Sequence, residues 1–454
     1  MFKLDPIQEE AISEICKWYS LLPKKYFVLA GRAGTGKSSI VKMAVENLAI
    51  DGEVAFIAPT GKASMVMRKK GILDAITMHK LIYIPREELE KQERETKKPK
   101  FSIFNSNRIS INEISNRIDA GEDAQDIFAE DIESRRTIAS TRMPKSEITF
   151  IKKDKAELQG IRLIVCDEAS LINDEQITDL ESFEIPVLYI GDHHQLPPVK
   201  GSNSRITNPD FVLEKIHRQG GDSPIISLAS DIIDDPTPRI KLDNIIRRYA
   251  GSTEIAVVSP TDVIEGFPEF YKNSDQILCS TNHLRDILNQ SCRFINGFTG
   301  NIPVVGDKLM CTRNNYEHKL VNGLQGYVRE VKNVDKLKGT FTFDFDTEAG
   351  YTVKDIVASM VPFYPPGTFS EAVEKFHNKA RTEIDYFDFG YACTVHKSQG
   401  SEWDNVLYIQ SFSHPNELRQ MHYTAITRAA KFITISECLS KDDINYFEDI
   451  LLNR

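Results

Sequence analysis

Eight residues constrain this chain more than any other stretch: Gly31-Arg32-Ala33-Gly34-Thr35-Gly36-Lys37-Ser38. They fit the pattern of a glycine, four residues, then Gly-Lys-Ser/Thr. The apolar run Tyr26–Ala30 leads into them and reads as a buried strand, and Ser39–Leu48 after them reads as a helix. A chance glycine-rich turn needs neither flank. Glycines let the backbone wrap closely around phosphate oxygens. Backbone N–H groups and the helix N-terminus favour the negative charge. Lys37 can reach the β- and γ-phosphates of a nucleotide, and Ser38 can hold Mg²⁺. The expected phosphate cradle is Gly31, Ala33, Gly34, Thr35, Gly36, Lys37, Ser38 and Ser39.

Such a loop demands a parallel α/β sheet around it, and the flanking sequence supplies one. Val54–Ala58, Leu163–Cys166 and Val187–Ile190 read as further strands separated by helical stretches. A second strand–helix series begins near Gln276–Ser280 and resumes at Tyr391–Thr394, Val406–Gln410 and Phe432–Ile435. The intervening residues carry short apolar runs and turns, among them Gly306-Asp307, Asn322-Gly323, Gly326 and Phe341–Phe345, and read as an inserted β-rich module. Arg86–Gly160 interrupts the first series, and its mixed-charge run Arg86–Lys100 reads as a solvated loop or helix face. The expected organisation is a first α/β domain over 1–85 and 161–218, an insertion over 86–160, a second α/β domain over 219–300 and 390–454, and the β-rich module over 301–389.

With 454 residues, 41% of them hydrophobic and 27% charged, the chain has apolar material for more than one core. A net charge of −10 argues against coating nucleic acid by bulk charge. A groove needs only a local positive potential, which an acidic exterior permits. The seven cysteines are odd in number and scattered, with no Cys-x-x-Cys pair, which disfavours zinc or a disulfide framework. No run reaches the length of a membrane span, and Met1–Glu10 lacks a signal pattern, so a cytoplasmic location is expected.

Asp167-Glu168 ends the strand Leu163–Cys166, where a carboxylate in P-loop enzymes binds Mg²⁺. Asp167 takes that role, and Glu168 is placed to orient or deprotonate a water. Asp5–Tyr19 reads as an amphipathic helix with Ile7, Ile12 and Ile15 on one face. On residue physics alone its Gln8 is an exposed polar residue. His193 and His194 lack partners at metal-ligand spacing and read as loop residues near a cleft, while Trp18 and Trp403 read as packing residues.

Gly191-Asp-His-His-Gln195-Leu-Pro-Pro-Val199 resembles motif III of superfamily 1 helicases. Other segments then resemble that family in order: Leu4–Gln8 the Q motif, Ala58–Ser64 motif Ia, Thr77-Met-His79 motif Ib, Asp167–Ser170 motif II, Leu213–Gln219 motif IV, Tyr391–Glu402 motif V and Tyr423–Ala429 motif VI. The resemblance implies two RecA-like P-loop motor domains and a small Src-homology-3-like β-barrel inserted in the second. It implies ATP and Mg²⁺ as cofactors, with Gln8 reading the adenine, Gln195 sensing the γ-phosphate, Arg218 and Arg428 reaching the phosphates, and Gly400 and Glu402 near the nucleotide. Strand contacts are implied for Pro59, Thr60, Lys62, Thr77, His79, Thr281, Asn282, Thr394, His396 and Ser398.

Thr77-Met-His79, Ser280-Thr-Asn282…Asn289 and Gly306-Asp-Lys…Asn322-Gly-Leu-Gln-Gly326 are most similar to the RecD/Dda group, which implies 5′→3′ movement on single-stranded DNA. The implied partners are single-stranded DNA and duplex junctions, with single-strand-binding or replication proteins as further candidates and a monomer as the working state. An RNA helicase of the same superfamily, a nucleotide-gated binding ATPase without unwinding, and a 3′→5′ helicase are the competing readings. Two departures stand out: Arg86–Gly160 matches no family pattern and leaves open the shape of the strand-separating pin, and motif VI continues Ala429-Ala430-Lys431.

Overall fold

In the computed structural model the described residues are 4–50, 52–85, 150–198, 201–214, 223–236, 242–365, 367–370, 373, 376–377, 383–411 and 417–452. The chain forms two compact units, the larger made of 1–82 and 152–454 and the smaller of 83–151. β4 (Tyr83–Pro85) pairs with β5 (Phe150–Lys152). The remainder of the expected insertion, 86–149, lies outside the described residues.

The larger unit holds three sheets. The first runs in the order β3 (Ile76–Thr77), β2 (Val54–Ala58), β6 (Leu163–Cys166), β7 (Val187–Gly191), β1 (Tyr26–Gly31) and β8 (Phe211–Leu213), with all neighbours parallel. Its central strands are near-continuous apolar runs because both faces are covered. Helices α1 (Pro6–Leu21) and α2 (Lys37–Leu48) pack on one face, where Ile12, Ile15, Trp18, Leu29, Ile40 and Leu188 form a core. Ile7, expected on the buried face of α1, is exposed instead. It stands in the first turn, ahead of the residues that meet the sheet.

The second sheet is also parallel, ordered β16 (Ala392–Thr394), β10 (Gln276–Cys279), β17 (Trp403–Ile409), β18 (Ala429–Ser436) and β9 (Ile255–Val258). The series thus starts at β9, earlier than the expected Gln276. The four residues of β9 sit at the sheet edge and carry no periodic signal of their own.

The third sheet, β14 (Thr352–Ser359), β13 (Thr340–Thr347), β12 (Gln325–Asp335), β11 (Lys308–Cys311) and β15 (Phe387–Phe389), is antiparallel. Phe341, Phe343 and Phe345 alternate along β13 and point to one face with Phe387. That face shares one continuous core with α6 (Asn282–Ile295) and β10. Among the described residues no helix is long and apolar enough to cross a membrane.

Candidate nucleotide cleft and strand-contact surface

β1 delivers its last residue, Gly31, to the start of the loop, and α2 begins at Lys37. Gly34 and Gly36 hold φ of 82° and 84°, the left-handed region that side chains rarely adopt. A Cβ on Gly31 would come within 2.8 Å of Thr35 Oγ1 and 2.9 Å of Leu213 Cβ, so the loop closes only with glycine there. The Lys37 ammonium donates to the carbonyls of Gly31 at 2.7 Å and Arg32 at 2.9 Å. Gln8 is not the exposed residue expected: it is 2% exposed. Its Oε1 accepts from Asp5 N–H at 3.2 Å, closing a capping box, and its Nε2 donates to the Thr35 carbonyl at 3.2 Å. The side chain therefore ties the start of α1 to the P-loop.

Ser38 Oγ donates to Asp167 Oδ2 at 3.4 Å, which brings the two expected Mg²⁺ ligands together. Both offer hard oxygens, the donor type that suits this cation. Glu168 follows with φ of 52°, and its N–H donates to Asp167 Oδ1 at 2.9 Å. Burial, and then the Asp167 charge, raise the Glu168 pKa above the ordinary carboxylate value, while Arg428 and Lys37 pull it back down. Gln195 is buried, and its Oε1 has no hydrogen-bond partner among the described residues. The His193 and His194 rings lie tilted against each other with centroids 3.9 Å apart, and burial with the neighbouring imidazole pushes His194 down to about 4. Arg218 lies outside the described residues.

Residues of the second sheet's helices meet this loop directly. Tyr423, on α8 (Leu418–Ile426), accepts a hydrogen bond from Ala33 N–H at 3.1 Å and donates to Asp192 Oδ2 at 2.6 Å. Leu196 N–H donates to Thr424 Oγ1 at 3.0 Å, and Gln399 Nε2 donates to the Leu196 carbonyl at 2.9 Å. Arg32 pairs with Asp234 at the end of α5 (Pro224–Asp234), at 2.7 Å. Arg428 is buried, donating to the Thr424 and Ser401 carbonyls at 3.0 Å each and to Thr427 Oγ1 at 3.1 Å. Its charge is felt at Glu168. Sequence reasoning missed Arg32, Asp192, Gln399, Tyr423 and Thr424. All five stand inside quoted motifs, but their partners lie on elements of the other sheet.

The residues expected to contact a strand form a repeated pattern. Thr60 follows β2 and caps α3 (Gly61–Lys69), its Oγ1 accepting from Ala63 N–H at 3.1 Å. Thr77 ends β3 and accepts from Lys80 N–H at 3.3 Å at the start of α4 (Met78–Ile82). Thr281 follows β10 and caps α6, accepting from Leu284 N–H at 3.2 Å. Thr394 ends β16 and caps α7 (Val395–Ser398), accepting from Lys397 N–H at 3.4 Å. Each sheet thus presents two Thr-capped helix starts from a pair of neighbouring parallel strands, β2 with β3 and β10 with β16.

His79 and His396 are half-buried, and burial lowers both pKa values. Pro59 is partly exposed and Asn282 exposed, the latter accepting from Arg285 at 3.0 Å. Lys62 is engaged by Glu348 at 3.1 Å and lies 4.8 Å over the Trp403 ring.

One expectation is corrected. Ser398 is fully buried and its hydroxyl donates to the Val395 carbonyl at 2.7 Å, so it is spent inside its own turn and does not face a strand. Gly400 lies against Ala63 and Thr60, where a Cβ would come within 3.2 Å of Ala63 Cβ. Glu402 is exposed.

The family described as "AAA domain" matches residues 3–250, more than half of the 454-residue chain. The chain belongs to the AAA domain family. A second match, to the UvrD-like helicase C-terminal domain, covers residues 389–435, the stretch that carries α7, α8 and most of β18. The resemblance to RecD/Dda-like superfamily 1B helicases stands at this level.

Among curated relatives, the ATP-dependent RecD2 DNA helicase of Deinococcus radiodurans is 25% identical over 292 residues, 59% of this chain and 35% of that protein. The ATP-dependent DNA helicase Dda of enterobacteria phage T4 is 22% identical over 303 residues, 63% of this chain and 56% of that protein. The chain therefore spans 35% and 56% of these relatives' lengths. Among solved structures, Pif1 helicase from Candida albicans aligns over 100% of both chains with a TM-score of 0.48 and 16% identity. Pif1 from Bacteroides in complex with ADP-AlF3 and single-stranded DNA aligns over 97% of both, with a TM-score of 0.46 and 16% identity.

Proposed function

We propose that the chain is an ATP-driven DNA helicase that moves 5′→3′ on single-stranded DNA and opens duplexes at junctions. The observation that carries this reading is the contact of α8 with the P-loop, Tyr423 to Ala33 at 3.1 Å, in a molecule that also repeats a Thr-capped helix start on each of two sheets. In this reading 1–85 with 161–218 and 219–300 with 390–454 are two RecA-like motor domains. The antiparallel sheet within 301–389 is a Src-homology-3-like insertion.

Lys37 releases the loop carbonyls it now holds and turns to the phosphates. Gln8 keeps the loop fixed to α1 and stands beside the adenine position. Ser38 and Asp167 would hold Mg²⁺, which supplies charge neutralisation on the phosphates. Glu168 takes a proton from the attacking water, which its raised pKa favours once the group is ionised. Gln195 has a buried acceptor for that water, and Arg428 approaches from the second domain. The free N–H groups at the starts of α3, α4, α6 and α7 bind backbone phosphates without reading bases. Two such sites on each of two domains that close and open with nucleotide give alternating grip. The strand, a monomeric working state, contacts with single-strand-binding or replication proteins, and a bacterial or phage-infected cytoplasm complete the proposal.

The test is unwinding of partial duplexes with either a 5′ or a 3′ single-stranded tail, with Lys37→Ala as control. Opening of the 5′-tailed substrate alone, lost in Lys37→Ala, supports the reading. Opening of the 3′-tailed substrate alone refutes the polarity, and normal ATP turnover in Lys37→Ala refutes the site.

A further inference from the structure

The P-loop holds phosphate through backbone N–H groups, and one of those donors is already taken. Ala33 N–H points to the Tyr423 hydroxyl at 3.1 Å. The same hydroxyl donates to Asp192 Oδ2 at 2.6 Å. Asp192 is almost fully buried, and its other oxygen accepts from His194 N–H at 3.0 Å. A hydrogen bond to a buried carboxylate is the strong kind, so Asp192 fixes the direction of the Tyr423 O–H and leaves its lone pair facing Ala33. One atom on α8 therefore joins the P-loop to the loop after β7.

Tyr423 cannot leave by a side-chain rotation. It is 1% exposed. The cavity beside it, lined by Arg32, Ala33, Ile225, Ala229 and Thr427 among others, measures about 10 Å³, room for roughly one water. Freeing the Ala33 donor requires α8 itself to shift against the P-loop. Arg32 and Asp234 span the same gap at 2.7 Å, but Asp234 is 62% exposed. An ion pair that open to solvent contributes little. The buried hydroxyl is the tether that matters.

We infer that Tyr423 is a positioning residue that competes with nucleotide phosphate for the Ala33 N–H, so that phosphate binding forces α8 to move. This deepens the proposed function and rests on it: strand-coupled turnover requires nucleotide occupancy to be felt on the second sheet, and Tyr423 is where it is felt. Because α8 leads to Arg428, displacement of Tyr423 also resets the arginine that acts on Glu168.

The test compares wild type with Tyr423→Phe and Thr424→Val, using N-methylanthraniloyl-ADP with Mg²⁺ as the binding probe and ATP hydrolysis with and without poly-dT. Tyr423→Phe keeps the ring and removes the competing acceptor together with the donor to Asp192. It should bind the probe about threefold to tenfold more tightly, the worth of one net hydrogen bond. Its poly-dT stimulation ratio should fall at least by half. Thr424→Val loses a cross-sheet hydrogen bond without touching the P-loop, and should not tighten probe binding. Unchanged or weaker binding in Tyr423→Phe, or equal tightening in Thr424→Val, overturns the inference. A wild-type protein that does not bind the probe overturns the proposed function as well, so the two failures are distinct.

Discussion

Removing the Asp307 carboxylate should unfold the C-terminal part of the molecule at far lower denaturant than removal of any surface charge. Asp307 is fully buried, and its partner Arg293 is almost as deeply buried. The carboxylate accepts four hydrogen bonds: from Arg293 Nε at 2.9 Å, Arg293 Nη2 at 3.1 Å, Tyr391 Oη at 2.9 Å and Val304 N–H at 2.8 Å. Arg293 also donates to the Gly300 and Ile302 carbonyls and lies 4.3 Å from the Phe389 ring centroid. The pair therefore joins α6, the start of β11, the strand β15 and the residue before β16.

Asp307→Ala leaves a guanidinium buried with its charge uncompensated, which costs about 3–5 kcal/mol. The two tryptophans provide the assay, since Trp18 lies in the core of the first sheet and Trp403 begins β17 of the second. In urea, the Trp403 fluorescence transition of Asp307→Ala in a Trp18→Phe background should fall by that amount. Replacing both partners, Arg293→Met with Asp307→Leu, should recover part of it, because no buried charge is left unpaired although Tyr391 Oη and Val304 N–H lose their acceptor. A loss below about 1 kcal/mol in the single variant, the range of an exposed pair, would refute the reasoning. So would a double variant no more stable than the single one.

Gly61→Ala would place a Cβ 2.3 Å from Val321 Cβ, so it should cost about 1–3 kcal/mol by overpacking, and Val321→Ala in the same chain should restore stability to urea. Glu168 is raised by burial and Asp167 and lowered by Arg428, so Arg428→Met should raise it further and move the acid limb of residual ATP hydrolysis to higher pH. Arg428→Lys should leave that limb near its original place, and an unmoved limb in Arg428→Met would sink the electrostatic argument. His396→Ala should lower strand-stimulated hydrolysis more than basal hydrolysis, whereas equal loss would remove His396 from the strand surface. Thr394→Val should weaken single-strand binding and Ser398→Ala should not, because the Ser398 hydroxyl is turned into its own helix.

Residues 31–38 and Asp167-Glu168 announced the nucleotide cleft, and the strands Val54–Ala58 and Leu163–Cys166 were legible to the residue. Those features are local: a strand buried on both faces needs an apolar run, and a phosphate loop needs glycine at left-handed positions. The chain's own order of residues also determined that Thr60, Thr77, Thr281 and Thr394 would each stand where a strand passes into a helix.

What only the folded structure decided depends on contacts that run from within one turn to hundreds of residues apart. Gln8 looked solvent-facing until the P-loop closed over it, and Ser398 looked available until its turn absorbed the hydroxyl. Tyr423 looked like one more motif residue until two sheets came together and set its oxygen between Ala33 and Asp192. Periodicity and spacing record which backbone a segment adopts. Which donor meets which acceptor across two sheets is set by how their faces pack, and no short stretch of sequence carries that distance.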